Sequence, residues 1–173
     1  MNRPKYVAIA AMTLDGKIAQ NSHQFSYDWT SKEDKKFFQA ELKKLDAVLV
    51  GSNTFKMARE PLLKRNTLVL TSKIKNIKEK YPHVWFVNYK TVDLNSFIKK
   101  LGYKKIAVIG GSKVYAYALE KNLIDEMYLT LEPLAFGKGI NLFAGTKSNT
   151  YKFKLVSVKK INRQGTLLLY YSK

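Results

Sequence analysis

Three short apolar runs constrain the fold of this chain more than any other feature. Two of these runs begin with a charged residue and are otherwise apolar, and the third is apolar throughout. They are Asp46–Gly51, Lys105–Ile109 and Tyr6–Met12. A strand that is apolar on both faces belongs inside a parallel sheet, because helices cover both faces of such a sheet. These runs therefore predict an α/β fold in which strands alternate with helices.

Helix-like and further strand-like segments lie between and after these runs. Ser31 is a good N-cap with Asp34 three positions later, and apolar residues at helical spacing predict a helix to about Leu45. The whole pattern predicts a three-layer sandwich with a mixed central sheet of about eight strands and a C-terminal antiparallel hairpin. The remaining predicted strands are 67–71, 84–87, 124–131, 151–158 and 166–171, and the remaining helices are 54–59, 94–101 and a segment ending near 119.

Composition restricts the class of protein. The chain has no cysteine and two histidines, so we expect no metal site. No apolar run approaches the roughly 20 residues that cross a bilayer, and the first residues lack the apolar core of a signal peptide. We therefore expect one domain over residues 1–173 that acts in the cytoplasm on a small molecule, as a monomer or homodimer.

The net charge of +18 raises the question of nucleic-acid binding. Only four basic residues are arginines and the other 27 are lysines, which occur in scattered pairs. Arginine is the usual residue for reading bases and for bidentate phosphate contacts. Nucleic-acid binding is therefore not favoured, whereas the positive field would attract a polyanionic small molecule.

Polar or glycine-containing segments follow several of the predicted strands. Each of these segments can offer a phosphate backbone N–H groups, hydroxyls or an ammonium. They are Gly51–Thr54, Leu70–Lys73 and Gly110–Gly111. Each segment alone also fits an ordinary helix cap or turn. Because ligands bind outside the carboxyl ends of strands in such sheets, their shared position favours a dinucleotide site.

Two further residues suggest a substrate site. Asp34, one turn before aromatic residues, could lie in an apolar cleft and bind a cationic or amidine-like ring, or it could serve as a partner of the Ser31 cap. Arg65 stands just before a predicted strand, where it could bind a carboxylate or lie on the surface.

The order and spacing of these segments resemble the dihydrofolate reductase superfamily, which includes the reductase domain of riboflavin biosynthesis. The resemblance covers almost the whole chain. In dihydrofolate reductases a tryptophan stands five positions before the pterin-binding acid and a phenylalanine four after it, as Trp29, Asp34 and Phe38 do here. Pro61–Arg65 is similar to the family's Pro-Leu-x-x-Arg, and Ile109–Tyr115 to its segment containing a cis glycine pair.

The resemblance implies NADPH as cofactor and assigns roles to residues along the chain. It implies catalytic roles for Asp34, which would bind the pterin ring, for Trp29, which would order water, and for Thr130, which would support the acid. The implied substrate-binding residues are Ile9, Ala10, Phe38, Ala58, Leu62, Arg65, Ile109 and Tyr115. The implied cofactor-binding residues are Ala11, Ile18, Gly51, Ser52, Asn53, Thr54, Leu70, Thr71, Ser72, Lys73, Gly110, Gly111, Ser112, Lys113 and Val114.

The resemblance further implies NADPH-dependent reduction of 7,8-dihydrofolate to 5,6,7,8-tetrahydrofolate, with hydride passing from nicotinamide C4 to pterin C6. The riboflavin-pathway 5-amino-6-(5-phosphoribosylamino)uracil reductase is an alternative, because Met12–Lys17 and Pro133–Gly139 look like that branch. However, Arg59–Pro61 replaces its Asp-Asp-Pro, and Ile109 replaces the glutamate of its Glu-Gly-Gly. An alternative of another class is a non-catalytic protein that binds nucleotides or nucleic acid. Ser52 and Asn53 also depart from the basic residue that many members place against the cofactor phosphates.

Overall fold

The computed structural model describes residues 3–173, so Met1 and Asn2 of the predicted domain lie outside the described residues. No helix in this range is long and apolar enough to cross a bilayer. The strands are β1 (Lys5–Thr13), β2 (Lys17–Ala19), β3 (Ala47–Gly51), β4 (Thr67–Thr71), β5 (Ile77–Tyr81), β6 (Val84–Asn88), β7 (Lys105–Val108), β8 (Ile124–Glu132), β9 (Ile140–Asn141), β10 (Lys154–Lys160) and β11 (Leu167–Ser172). The helices are α1 (Lys32–Leu42), α2 (Ser52–Met57), α3 (Arg59–Leu63), α4 (Leu94–Lys100) and α5 (Ser112–Glu120), with a 3-10 turn at Ser26–Asp28.

The main sheet is parallel at its centre and antiparallel at both edges. Its nine strands lie in the order β10-β11-β8-β1-β7-β3-β4-β6-β5, and β2 pairs with β9 in a separate ribbon. The six strands from β8 to β6 run parallel to one another. Strand β5 pairs antiparallel at one edge, and the hairpin β10–β11 pairs antiparallel at the other. The predicted mixed sheet and C-terminal hairpin are confirmed.

Both faces of the sheet are covered by apolar clusters. Alternate residues of β1 enter different clusters, Tyr6 and Ala8 one of them and Val7 and Ile9 the other, as the period of two in a strand requires. Helices α4 and α5 contribute to the first cluster, and α1, α2 and α3 to the second. The arrangement is the predicted three-layer sandwich.

The structure corrects several element predictions. The helix expected at residues 54–59 is divided into α2 and α3, which meet at Ala58. Strand β5 is absent from the sequence prediction. Its three central residues are charged, and it lies exposed at the edge of the sheet. A strand in that position buries neither face, so its sequence shows no alternation of apolar and polar residues. Strand β5 brings the sheet to nine strands. Strand β10 begins at Lys154 and not at residue 151.

The turn of the C-terminal hairpin is held by one side chain. Asn162 Oδ1 accepts hydrogen bonds from the N–H groups of Gly165 and Thr166, each at 3.0 Å, and Asn162 Nδ2 donates to Thr166 Oγ1 at 2.8 Å. Gly165 has φ of +104°, which side chains rarely adopt. Asn162 therefore closes the loop that the sequence predicted as a turn.

The parallel topology brings three chain segments together at one edge of the sheet. Strands β7, β3 and β4 are neighbours, and their carboxyl ends lead into Gly110, Gly51 and Thr71. The N–H of Gly51 donates to the carbonyl of Gly110 at 2.8 Å, which joins two of the segments directly. The residues expected to bind phosphate therefore lie next to one another.

We predict that Asn162→Ala lowers the free energy of unfolding by about 1–3 kcal/mol, because the buried Thr166 loses two of its hydrogen bonds. Urea denaturation of the wild type and the variant measures the change. Asn149→Ala, at an exposed position, serves as the control and should change stability by less than about 0.5 kcal/mol. Equal stability of the two variants would contradict the role of Asn162.

Candidate functional site

A cleft of about 1200 Å³ opens along the carboxyl edge of the parallel strands. It exceeds the roughly 300–1,000 Å³ typical of a site for one small molecule, so two ligands can lie in it together. Every residue predicted to bind substrate or cofactor lines this cleft. On the substrate side these are Ile9, Ala10, Phe38, Ala58, Leu62, Arg65, Ile109 and Tyr115. On the cofactor side they are Ala11, Ile18, Gly51, Ser52, Asn53, Thr54, Leu70, Thr71, Ser72, Lys73, Gly110, Gly111, Ser112, Lys113 and Val114.

Asp34 is a buried acid in this cleft, and it is held there by the start of α1. Its backbone N–H donates to Ser31 Oγ at 3.2 Å, as expected for a helix cap. Its carboxylate does not return to the backbone of Ser31, because Ser31 N–H donates to Glu132 Oε1 at 2.7 Å. Asp34 therefore caps only through its backbone, and its side chain, in a residue only 9% exposed, lines the cleft.

The surroundings of Asp34 favour its protonated form. Burial raises the pKa of the Asp34 carboxyl above its ordinary value of 3.8, and the negative charge of Glu132 acts in the same direction. The hydroxyls of Thr130 and Thr30 and the charge of Lys35 act in the opposite direction. A ligand that brings N–H donors or a positive charge to Asp34 would offset the cost of burying its charge.

Trp29 and Thr130, the other two residues with implied catalytic roles, do not line the cleft. Trp29 packs edge to face against Phe136 with ring centroids 5.2 Å apart. Its Nε1 atom is buried and has no hydrogen-bond partner among residues 3–173. Thr130 is 1% exposed and lies beside Asp34. The ordering of water by Trp29 and the support of Asp34 by Thr130 during catalysis stay predictions.

One end of the cleft presents a positive charge. Arg65 Nη1 donates to the carbonyl of Leu42 at 3.3 Å, and Nη2 donates to Gln39 Oε1 at 3.4 Å. Gln39 Nε2 in turn donates to the hydroxyl of Tyr27, and both residues line the cleft. No carboxylate in residues 3–173 forms an ion pair with Arg65. The guanidinium is therefore positioned by neutral partners and can still bind an anion.

At the glycine-rich part of the cleft the backbone packs too closely for side chains. The peptide bond between Gly110 and Gly111 is cis, and Gly110 has φ of +103°. A Cβ on Gly110 would lie 2.9 Å from the ring of Tyr115, and one on Gly111 would lie 3.2 Å from Thr54 Oγ1. The packing of the protein itself therefore requires glycine at both positions. Both glycines also line the cleft, where their backbone could contact the diphosphate of a dinucleotide.

The segment after β4 offers a second anion site. Thr71 is 7% exposed and its Oγ1 accepts the N–H of Lys73 at 3.1 Å, so this hydroxyl already has a local partner. Ser72 and Lys73 are exposed and line the cleft. Of the predicted Thr71–Lys73 group, these two are the residues most accessible to a phosphate.

The cleft is also lined by residues that sequence reasoning missed, among them Tyr27, Gln39, Tyr89 and Tyr117. The rings of Tyr89 and Tyr117 lie edge to face with centroids 5.5 Å apart. An aromatic pair of this kind can stack on a flat ring such as a purine. No local pattern links Tyr89 at the end of β6 with Tyr117 in α5, so only the fold brings them together.

Known proteins are similar to this chain in fold and in sequence. Among solved structures, a Shewanella sp. PV-4 protein provisionally assigned to riboflavin biosynthesis has a TM-score of 0.79 and 22% identity, over 97% of this chain and 98% of its own. The Thermotoga maritima diaminohydroxyphosphoribosylaminopyrimidine deaminase/5-amino-6-(5-phosphoribosylamino)uracil reductase has a TM-score of 0.77 and 22% identity, over 98% of this chain and 56% of its own. The uncharacterized protein YwjB of Bacillus subtilis (strain 168) is 25% identical over 167 residues, which are 92% of this chain and 93% of YwjB.

A family model also matches most of the chain. The model for dihydrofolate reductase matches residues 5–166, a range that includes strands β1 to β10, all five helices and every residue of the cleft named above. The chain therefore belongs to the dihydrofolate reductase family.

Proposed function

We propose that this protein, an oxidoreductase by its family, reduces 7,8-dihydrofolate to 5,6,7,8-tetrahydrofolate with NADPH. The observation that carries the proposal is the buried Asp34 carboxylate in a cleft large enough for two ligands. The 2-amino-4-oxo ring of a pterin presents an amino N–H and a ring N–H side by side. The two oxygens of one carboxylate can accept both hydrogen bonds, which are stronger because the acceptor is charged.

The pKa of Asp34 fits this role. Because burial raises that pKa, the carboxylate without a ligand is in an unfavourable environment at neutral pH. Pterin N–H groups would add stronger donors to the hydroxyls of Thr130 and Thr30 that already act on this carboxylate. The same contact would favour a positive charge on the bound ring, which makes the ring a better hydride acceptor.

The rest of the cleft would orient the two ligands. NADPH supplies the hydride, and the glycine pair with Ser72 and Lys73 would hold its phosphates. Tyr115 Oη donates to the carbonyl of Ile9 at 2.6 Å, which fixes the apolar wall between Asp34 and the glycine pair. Arg65 would bind the carboxylate of the glutamate tail of the substrate. In this arrangement the protein would contribute placement and exclusion of water to a reaction of cytoplasmic cofactor metabolism.

A second candidate is reduction of 5-amino-6-(5-phosphoribosylamino)uracil, which is supported by the activity for which the structurally similar Thermotoga maritima protein is named. In that reaction Arg65 could bind the ribose phosphate. The uracil compound, however, also presents two neighbouring N–H groups, at ring N1 and at the amino nitrogen on C6, so Asp34 alone does not separate the two substrates. What separates them is the set of substrate segments of the riboflavin branch, which Arg59–Pro61 and Ile109 replace in this chain. The pterin is therefore our first candidate.

We predict that Asp34→Asn lowers turnover of dihydrofolate by at least about 100-fold, the effect typical of losing a positioned ionic group. The variant should also melt at a higher temperature than the wild type at pH 7. Because folding raises the pKa of Asp34, ionisation of Asp34 above pH 3.8 favours the unfolded state and lowers the stability of the wild type. The side-chain amide that replaces this carboxyl does not ionise, so the variant keeps its stability as pH rises. Kinetics and thermal melts at pH 7 and near pH 4 measure both effects. Turnover close to that of the wild type would leave Asp34 as a helix cap alone.

We predict that replacing Ser72 by Ala and Lys73 by Met together lowers the preference for NADPH over NADH at least about tenfold. The reason is that two charge-assisted contacts to the 2′-phosphate are lost while NADH makes neither. The measurement is kcat/KM with each cofactor. Lys36→Met, at an exposed site outside the cleft, is the matched control and should leave the ratio unchanged. Equal use of both cofactors by the wild type would show that this segment does not bind a 2′-phosphate.

We predict that Arg65→Leu raises the KM for dihydrofolate at least about 30-fold, equivalent to about 2 kcal/mol, because an ion pair with the glutamate tail is lost. The Kd for NADPH should change little, and a pterin without glutamate should react equally with both proteins. Arg59→Leu is the control, because Arg59 lies outside the cleft over the ring of Tyr81. An unchanged KM for dihydrofolate in Arg65→Leu would contradict the folate assignment.

A further inference from the structure

The helix cap below Asp34 is built from two parts of the chain. In a capping box the N-cap hydroxyl accepts the N–H of the third helical residue, and the side chain of that residue accepts the N–H of the N-cap. Asp34 is the third residue after Ser31, and its N–H donates to Ser31 Oγ at 3.2 Å. The return bond comes from elsewhere, because Ser31 N–H donates to Glu132 Oε1 at 2.7 Å. Glu132 therefore occupies the place that the sequence pattern assigns to Asp34.

Glu132 is itself firmly held. It is 3% exposed, and its Oε2 accepts the hydroxyl proton of Thr166 at 2.6 Å. Thr166, which is fully buried, also accepts a hydrogen bond from Asn162 Nδ2, so its own proton is available to Glu132. Both oxygens of Glu132 act as acceptors, which is the arrangement of an ionised carboxylate.

Glu132 also lies close enough to Asp34 to influence its charge. Thr130, beside Asp34, and Glu132 are two positions apart in β8, so their side chains leave the same face of the strand. The negative charge of Glu132 raises the pKa of Asp34, in the same direction as burial. Strand β8 thus carries both Thr130, which lies beside Asp34, and a second carboxylate, Glu132, whose charge acts on Asp34.

We infer that Glu132 is a positioning residue for Asp34. By taking the return bond of the helix cap, it leaves the Asp34 carboxylate available to a ligand in the cleft. It also fixes the start of α1 against β8 and places a second negative charge behind the acid. This inference rests on the proposed ligand-binding role of Asp34 and does not depend on which ring the ligand carries.

Other charged and titratable groups near Asp34 do not account for this arrangement. On α1, Lys35 lowers the pKa of Asp34, and its ammonium lies over the ring of Tyr27 at 5.7 Å from the centroid. On α5, burial raises the pKa of the Tyr115 phenol, so it stays neutral and donates to the carbonyl of Ile9. Glu132 on β8 is the negatively charged neighbour that acts on Asp34.

The test compares Glu132→Gln, which removes the charge, with Thr166→Val, which keeps the charge. The valine variant removes the hydrogen bond that Thr166 donates to Glu132 and the one that it accepts from Asn162. Carbon-13 NMR of aspartate-labelled protein, without substrate, follows the titration of Asp34, whose signal is identified by its loss in Asp34→Asn. We expect Asp34 to titrate at lower pH in Glu132→Gln than in the wild type, because a like charge is gone. In Thr166→Val its titration should not move to lower pH.

Hydrogen exchange of the Ser31 amide tests the positioning separately. The amide should exchange at least about tenfold faster in Glu132→Gln, because its charged acceptor is lost. It should also exchange faster in Thr166→Val, which provides the test if the glutamine variant does not fold. An unchanged Asp34 titration in folded Glu132→Gln, or unchanged Ser31 exchange in Thr166→Val, would overturn the inference.

The kinetic readout separates this inference from the proposed function. With dihydrofolate as substrate, Glu132→Gln should raise KM and shift the pH dependence of kcat/KM, whereas a purely structural role would lower stability without that shift. If the wild type does not reduce dihydrofolate at all, the proposed function fails, while the NMR and exchange results still decide the role of Glu132.

Discussion

Coverage of both faces of the parallel sheet determines where this protein can bind ligands. The six parallel strands pair with one another and, at the two sides, with β11 and β5, and two apolar clusters cover the faces of the sheet. In a sheet covered in this way, ligands bind outside the carboxyl ends of the strands. Because β7, β3 and β4 are neighbours, Gly110, Gly51 and Thr71 meet at one edge, and the cleft follows from the strand order.

Charge divides the cleft into regions that suit different parts of its ligands. The chain carries a net charge of +18, and Arg65, Lys73 and Lys113 place positive groups along the cleft. Asp34 is the buried carboxylate among them, and its burial raises its pKa. Such a cleft favours a ligand with N–H donors at one point and anionic groups elsewhere. Both a pterin with a glutamate tail and a dinucleotide phosphate meet parts of that requirement.

Much of this could be predicted from sequence, for reasons that are local. Interior strands such as β1 and β3 can be recognised because they are apolar on both faces. The order of Asp34, Arg65 and the glycine pair along the sequence was enough to predict residues that line the cleft. Strand β5 lacks that signal, because its residues are mostly charged and exposed at a sheet edge. Its existence depends on pairing with β6 and not on its own pattern.

Long-range contacts account for what was missed in the site. The spacing of Ser31 and Asp34 predicts a local capping box, but the acceptor for the Ser31 N–H is Glu132, 101 positions away. Tyr89 and Tyr117 likewise meet only because α5 packs against the sheet near the end of β6. Such pairs carry no periodic signal. In the case of Asp34, the local pattern fits both a helix cap and a ligand-binding residue, and the distant partner Glu132 decides between the two roles.

The most direct test of the account is the initial rate of NADPH oxidation by the wild type with two substrates side by side, 7,8-dihydrofolate and 5-amino-6-(5-phosphoribosylamino)uracil. We predict saturable turnover of dihydrofolate and a much lower kcat/KM for the uracil compound. Asp34 and Arg65 suit a pterin with a glutamate tail, whereas Arg59–Pro61 and Ile109 replace the substrate segments of the riboflavin branch. Turnover of the uracil compound alone, or of neither substrate, would contradict this prediction.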